Sequence, residues 1–268
     1  MLYNFFLEMK VIAIIPARYA STRFPGKPLA MLGGKPMIQR VYEKVSPLVD
    51  MAVVATDDAR IYDTVERFNG RVVMTSLDHK SGTDRVQEAY KKVSEALGVE
   101  YDVIINVQGD EPFIAAQQIQ AVKDCFMQAD TEIATLVKPF HKEDGLNALL
   151  NPNSPKVVIG KQCQALYFSR SVIPYLRGVA QEEWLDKQTF YKHIGLYAYR
   201  PEALARITAM PQTPLEKAES LEQLRWLENG MHITVRVVDI ETVGIDTPED
   251  LVRAEAFLME QKRAKGSL

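Results

Sequence analysis

Val11-Ile12-Ala13-Ile14-Ile15-Pro16-Ala17-Arg18-Tyr19-Ala20-Ser21-Thr22-Arg23-Phe24-Pro25-Gly26-Lys27-Pro28-Leu29 is the stretch on which the reading of the fold turns. It opens as an unbroken apolar run rich in β-branched side chains, which suits a strand buried on both faces of a parallel sheet. It continues as a long loop with three cations (Arg18, Arg23, Lys27), two hydroxyls (Ser21, Thr22) and Gly26, where backbone can come close to a ligand. Cations and free backbone N–H groups at a strand end suit a polyphosphate. A solvated basic loop is the plainer alternative; the loop's length, its place after the first strand and its lack of apolar anchors favour a function.

Outward from this stretch the chain alternates short apolar runs with amphipathic spacing. Ile38, Val41 and Val45 predict a helix, 51–55 a strand, Ile61, Val65 and Phe68 a helix, and 71–74 a strand. Val86, Ala89, Tyr90, Val93 and Leu97 predict a longer helix, 103–107 a fourth buried strand, and 117–127 a further helix. Strand–helix–strand repetition argues for an α/β fold, a Rossmann-like parallel sheet with helices on both faces. From Ile133 strand-like runs crowd together (133–138, 156–160, 165–169, 193–199) around Pro152, Pro155 and Pro174, which predicts a mixed-sheet excursion. A helical pattern returns over 215–227 and stops at Asn229-Gly230; a strand at 233–238 and a helix from Pro248 follow. The expected organisation is one domain over 1–268, with a core of about 10–132 and 201–262 and an excursion of about 133–200.

The bulk properties set limits. The chain has 268 residues, 47% hydrophobic and 25% charged, enough to bury a core. A net charge of −3 gives no basic footprint for nucleic acid, so an anionic substrate needs a local cationic cluster. Cys125 and Cys163 form no C-x-x-C pair; they read as small buried residues in a reducing compartment rather than as a disulfide or zinc site. No apolar run approaches the roughly 20 residues that span a bilayer. The stretch before Met9 lacks a basic region and a small-residue cleavage site and reads as a loose extension.

Further motifs fall at or after predicted strand ends, where α/β sheets bind ligands. Asn106-Val107-Gln108-Gly109-Asp110-Glu111-Pro112 carries a buried strand into carboxylates, hard ligands of the kind Mg²⁺ takes in ones and twos; a plain turn fits the same residues. In Gly244-Ile245-Asp246-Thr247-Pro248-Glu249-Asp250, Thr247 and Asp250 form a capping box with Pro248 at the first helical position, so Asp246 is left for metal or for the helix dipole. Ser81-Gly82-Thr83-Asp84-Arg85 opens a helix and suits a base, a phosphate, or a simple cap at Ser81 or Thr83. Tyr191 to Tyr197, with His193, and Leu221-Glu222-Gln223-Leu224-Arg225 equally suit structural roles, the latter as a solvated polar face. No P-loop and no G-x-G-x-x-G occurs.

Taken in order and spacing, the 15–29 loop, 81–85, 106–112, Tyr167-Phe168-Ser169-Arg170, 193–197 and 244–250 resemble the sugar-acid cytidylyltransferases, and among them the CMP-Kdo synthetases, over about 10–258. Phe24 stands where leucine is expected, 141–155 looks variable, and the N-terminal extension is outside the pattern. The resemblance implies a nucleotidyltransferase (GT-A-like) fold and a reaction in which CTP and 3-deoxy-D-manno-octulosonate (Kdo) give CMP-Kdo and pyrophosphate, for lipopolysaccharide synthesis in the cytoplasm. It implies catalytic roles for Arg18, Lys27, Asp110 and Asp246, with Mg²⁺ on Asp110 and Asp246. Nucleotide binding falls to Ala17, Arg18, Lys27, Ser81, Gly82, Thr83 and Asp110. Sugar-acid binding falls to Gln108, Arg170, His193, Tyr197, Glu222 and Gln223, with Arg170 the natural partner for a carboxylate. A homodimer built partly on 133–200 is expected. A glycosyltransferase, which would release a nucleoside diphosphate, and a non-catalytic nucleotide-binding regulator are the alternatives.

Overall fold

The computed structural model describes residues 9–20, 23–240 and 244–264. The extension before Met9, and Ser21 and Thr22 of the first loop, lie outside the described residues. The chain divides into two compact units, one of 1–119 with 242–268 and one of 120–241. The second unit therefore begins ahead of the expected boundary at 133 and runs past the expected return at 201.

In the first unit, β1 (Val11–Ala17) leads through a short hairpin, β2 (Met31–Leu32) and β3 (Lys35–Pro36), into α1 (Met37–Val45). Then come β4 (Met51–Thr56), α2 (Ala59–Arg67), β5 (Val72–Met74), α3 (Gly82–Leu97) and β6 (Val103–Asn106). β1 pairs in parallel with β4 on one side and β6 on the other, and β4 pairs in parallel with β5. Every residue from Val11 to Ile15 is fully buried, as the unbroken apolar run required. The chain moves outward from β1 to β4 to β5, then returns through α3 to the far side of β1. Right-handed crossovers then place α1 and α2 on one face and α3 on the other. The direction reverses between β1 and β6, and the crevice outside such a reversal is where α/β sheets bind ligands.

A helix α4 (Ala116–Asp124) runs across the boundary in sequence. The second unit contains β7 (Ile133–Pro139), α5 (Gly145–Leu150), β8 (Lys156–Ile159), β9 (Ala165–Ser169), α6 (Trp184–Lys187) and β10 (Tyr191–Tyr199). It continues with α7 (Pro201–Ala209), α8 (Pro214–Glu219), α9 (Gln223–Glu228) and β11 (Ile233–Val237). β10 is antiparallel to β7 and β8, β8 is antiparallel to β9, and β11 is parallel to β7. The mixed character expected of the excursion is present.

The single helix expected over 215–227 is two helices. Ser220 adopts φ 51° and ψ 47°, a left-handed conformation that ends α8. The polar face expected to be solvated is buried: Gln223 is 5% and Arg225 6% exposed. Arg225 bonds Met210 O and Glu222 at 2.9 Å each, and its Nε lies 3.1 Å from Glu216. Cys125 is buried, as expected, and burial pushes its thiol up to about 11; Cys163 is exposed instead, at φ 57° in a turn.

The chain returns to the first unit with α10 (Pro248–Ala264). Its predicted cap forms: Thr247 Oγ1 accepts from Asp250 N at 3.2 Å, and Asp250 Oδ2 accepts from Thr247 N at 2.9 Å.

Candidate active site

Loops after β1 and β6, the entry to α3 and the entry to α10 enclose one cleft of about 280 Å³ in the first unit. Ala17, Arg18, Lys27, Ser81, Gly82, Gln108, Asp110 and Asp246 line it, alongside Arg23, His79, Lys80 and Arg85. Thr83, expected among the nucleotide-binding residues, is 3% exposed and is not on the lining. Gln108, expected to bind the sugar acid, lines this cleft, and its amide donates to Asn106 at 3.3 Å.

Each wall has a local cause. Gly26, at φ 70°, donates its N–H to Tyr19 O at 2.9 Å and folds the long loop back on itself. The Arg60 guanidinium sits 3.3 Å over the Tyr19 ring, and Phe24 packs beside Leu32, Met37 and Ile245. The loop thus has the apolar anchors that its composition hid. A Cβ on Gly109 would stand 3.0 Å from Pro16 O, a tight contact, so the glycine eases the close approach of the Asp110 loop to the end of β1. Ile245 is fully buried and donates its N–H to Asp110 O at 3.0 Å, which brings Asp246 beside Asp110. Ser81 caps α3 in a capping box with Asp84, which places Ser81 and Gly82 on the cleft wall.

The electrostatics are uneven. Five cations (Arg18, Arg23, Lys27, Lys80, Arg85) share the lining with two carboxylates, Asp110 and Asp246. Lys27 Nζ lies 2.5 Å from Asp110 Oδ2 and 3.2 Å from Asp246 Oδ1; Arg23 reaches Asp246 at 3.2 Å. Arg85, 4% exposed, is held by Asp57 and Thr75. Arg18 and Lys80 have no ion pair among the described residues, which leaves positive charge for an anionic ligand. Beside the cleft, Glu88 joins His79, Lys92 and the Ser76 N–H; burial would raise its carboxyl, but these partners hold it down to about 2.

Two carboxylates on one ammonium mark a point where a cation is favoured. Among the described residues no group of three or more His, Cys, Asp or Glu is placed to hold a metal ion. The two carboxylates are oxygen donors of the kind a hard ion takes when it completes its shell from water and phosphate, as Mg²⁺ does.

The remaining expected residues lie in the second unit. In a regular strand, residues four apart are separated by about 13 Å. An irregularity in β10 between Ile194 and Tyr197 shortens this, so the His193 and Tyr197 ring centroids are 5.3 Å apart. His193 Nε2 is 3.2 Å from Thr135 Oγ1, and its ring meets Phe168 edge-on at 5.2 Å. Desolvation lowers its imidazole to about 4. Desolvation, followed by the nearby Tyr199 and Glu222, raises the Tyr197 phenol well above its usual range. The Gln223 side-chain N–H₂ is buried and has no hydrogen-bond partner among the described residues. Arg170 gives Nε to Glu219 O at 2.6 Å, Nη1 to Pro152 O at 3.0 Å and Nη2 to Ser220 O at 3.3 Å. All three guanidinium nitrogens are used on neutral carbonyls, while the backbone N–H donates to the Glu219 carboxylate at 2.9 Å. Sequence reasoning missed Arg23, His79, Lys80 and Arg85 as cleft residues; two of them, Arg23 and Arg85, stood inside the motifs already singled out.

Fold and cleft together define a nucleotide-handling α/β enzyme. The chain belongs to the cytidylyltransferase family, whose pattern matches residues 12–233. It is similar to the 3-deoxy-manno-octulosonate cytidylyltransferase of Phocaeicola vulgatus, 65% identical over 254 residues, covering 95% of this chain and 99% of that one. The enzyme of the same name from Parabacteroides distasonis is 63% identical over 251 residues, covering 93% and 98%. Among solved structures, CMP:2-keto-3-deoxy-manno-octonic acid synthetase complexed with CTP matches with a TM-score of 0.84 and 39% identity, covering 94% of this chain and 99% of that one. The 4-diphosphocytidyl-2C-methyl-D-erythritol synthase of Anaerococcus prevotii, at TM-score 0.56 and 14% identity, shares the fold alone.

Proposed function

We infer that this chain is a 3-deoxy-manno-octulosonate cytidylyltransferase, transferring CMP from CTP to Kdo with release of pyrophosphate. The observation that carries the reading is the cationic cleft at the β1–β6 reversal, with Asp110 and Asp246 meeting on Lys27 in a chain so close to enzymes of that name.

The chemical difficulty is charge, since an anionic sugar must approach a polyanion. Two like charges about 4 Å apart repel by about 4 kcal/mol at an effective dielectric constant of about 20. Arg18, Lys27 and Lys80 offset this and stabilise the charge that builds on the leaving pyrophosphate. The sugar hydroxyl oxygen forms a bond to the α-phosphorus, the bond from that phosphorus to the bridging oxygen breaks, and the hydroxyl proton goes to solvent. Mg²⁺ held by Asp110 and Asp246 would supply Lewis acidity and orientation at the phosphates. Ala17, Ser81 and Gly82 line the cleft where the nucleoside would be held.

For the sugar acid, His193, Tyr197, Glu222 and Gln223 form the candidate set. The unpartnered Gln223 amide supports this, because a buried unpaired donor costs about 1–3 kcal/mol and a ligand oxygen would satisfy it. Arg170 would bind the carboxylate only by giving up bonds to Pro152, Glu219 or Ser220. A homodimer and a cytoplasmic place in lipopolysaccharide synthesis complete the proposal. No helix among the described residues is long and apolar enough to cross a membrane.

The test is pyrophosphate release by the purified chain with CTP, UTP, ATP or GTP, with and without Kdo. Release should need CTP and Kdo together and stop with EDTA. Equal release with every base, or release indifferent to EDTA, would refute the assigned base choice or the metal.

A further inference from the structure

In the second unit, β7 runs through Ile133, Ala134, Leu136 and Val137 with one hydroxyl residue among them, Thr135, which is fully buried. Its surroundings are set by the irregularity in β10. Leu136 pairs with Ile194, while Thr135, the next residue back, pairs with Tyr197, so Gly195 and Leu196 are extra residues on the β10 side. The extra backbone brings three polar atoms onto one hydroxyl. Thr135 Oγ1 lies 2.9 Å from Leu196 O, 3.2 Å from Ile194 O and 3.2 Å from His193 Nε2.

A threonine hydroxyl carries one hydrogen and two acceptor lone pairs, and a carbonyl oxygen only accepts. Two oxygens as close as Oγ1 and Leu196 O repel unless a hydrogen lies between them. Leu196 O is the nearer carbonyl and falls within the usual O–H···O range, which ends near about 3.0 Å. The hydrogen used there is not available to His193. The contact between Oγ1 and Nε2 therefore runs the other way, with Nε2–H donating to Oγ1 at a length ordinary for N–H···O. Desolvation lowers the imidazole pKa to about 4, so the ring is neutral near neutral pH. A neutral imidazole carries one N–H, and the bond made at one nitrogen decides the state of the other. With the proton on Nε2, Nδ1 holds a lone pair. His193 is partly accessible, so a ligand can reach its ring.

We propose that Thr135 is a positioning residue that holds His193 as the Nε2–H tautomer, so that Nδ1 accepts a hydrogen bond from a hydroxyl group of the sugar acid. The assignment rests on the reading of the chain as a sugar-acid cytidylyltransferase and gives a polarity to one member of its candidate set. The Nδ1 lone pair repels a carboxylate oxygen and attracts an O–H, so His193 selects a hydroxyl rather than the acid group. Gln223 of the same set has the opposite polarity, a buried N–H₂ with no partner among the described residues. A hydroxyl both donates and accepts, so one acceptor and one donor together suit the polyol part of a sugar acid.

The tautomer is read in the full chain without substrate, from long-range ¹H–¹⁵N correlations of the imidazole rings, with His193 assigned by its disappearance in His193→Asn. The expected spectrum has a proton on Nε2 and none on Nδ1; a proton on Nδ1 overturns the proposal with no need of a Thr135 variant. Thr135→Val removes the acceptor and should shift the ring signals and let the other tautomer appear. It should also raise KM for Kdo about three- to tenfold, the range one hydrogen bond carries, with kcat and KM for CTP less affected. Thr135→Ser keeps the hydroxyl and should keep both the spectrum and KM. A folded Thr135→Val chain with unchanged ring signals or unchanged KM for Kdo would overturn the proposal. Saturating Kdo, with CDP in place of CTP, should shift the Nδ1 resonance and leave the proton on Nε2; a proton arriving on Nδ1 would mean that it meets the carboxylate and would refute the hydroxyl. Failure of the functional reading shows separately, as no pyrophosphate from CTP and Kdo, and removes the hydroxyl role whatever the tautomer of the free chain.

Discussion

Asp246 sits one residue ahead of a completed helix cap, so its carboxylate can be changed without touching that cap. Asp246→Asn should keep Tm within a few degrees while lowering kcat by about two orders of magnitude or more, the scale of several kcal/mol of transition-state stabilisation; near-normal kcat in saturating Mg²⁺ would remove it from the metal site. His193 gives a signed pH prediction. Its folded pKa of about 4 lies below the 6.5 of the free side chain, so the unfolded chain binds the extra proton between those values. Stability from this group is complete above pH 6.5 and falls as pH drops towards 4; His193→Phe should flatten that part of the urea-midpoint profile, and an unchanged profile would contradict the assignment. The sequence made Asp110, Asp246 and the basic loop legible because each stands at a strand or helix end. It did not make legible that Lys27 joins carboxylates 83 and 219 positions away, because ion pairs at such separations leave no periodic trace.

At the scale of elements, Gly109 and Ser220 carry local constraints that substitutions can test. Gly109→Ala would push against Pro16 O and shift Asp110; turnover should fall several-fold more than the loss of stability accounts for, checked by comparing kcat with Tm. Ser220 holds a left-handed conformation that costs an L-residue roughly 1–2 kcal/mol. Ser220→Gly should therefore leave stability unchanged or raise it slightly, whereas Ser220→Val should lower it. Arg225→Met leaves Glu216, 6% exposed, without its cation and should cost about 3–5 kcal/mol in urea unfolding. β1, β4 and β6 were legible as unbroken apolar runs because they are buried on both faces, and α1, α2 and α3 by periodicity because each buries one face. Periodicity ran α8 and α9 together because Leu215, Leu221, Leu224 and Leu227 keep helical spacing across the break. Polar side chains buried in pairs, as Arg225 is, read in sequence as a wet surface.

For the whole molecule, the parallel order of β1, β4, β5 and β6 followed from strand–helix alternation, and the reversal at β1 explains why separate motifs line one cleft. The division of the chain was less legible, because the contacts that set its limits at 119/120 and 241/242 are long-range while the change of pattern at Ile133 is local. A homodimer is a property of the assembled chain; light scattering should give twice the 30.3 kDa chain mass, and a monomer would remove the dimer from the account. The central claim is which bond of the nucleotide breaks. Phosphorus NMR of the chain turning over CTP, Kdo and Mg²⁺ reads this directly. The account predicts pyrophosphate and a new CMP phosphodiester appearing in equal amounts; a nucleoside diphosphate as the nucleotide product, or bound CTP that never turns over, would contradict it.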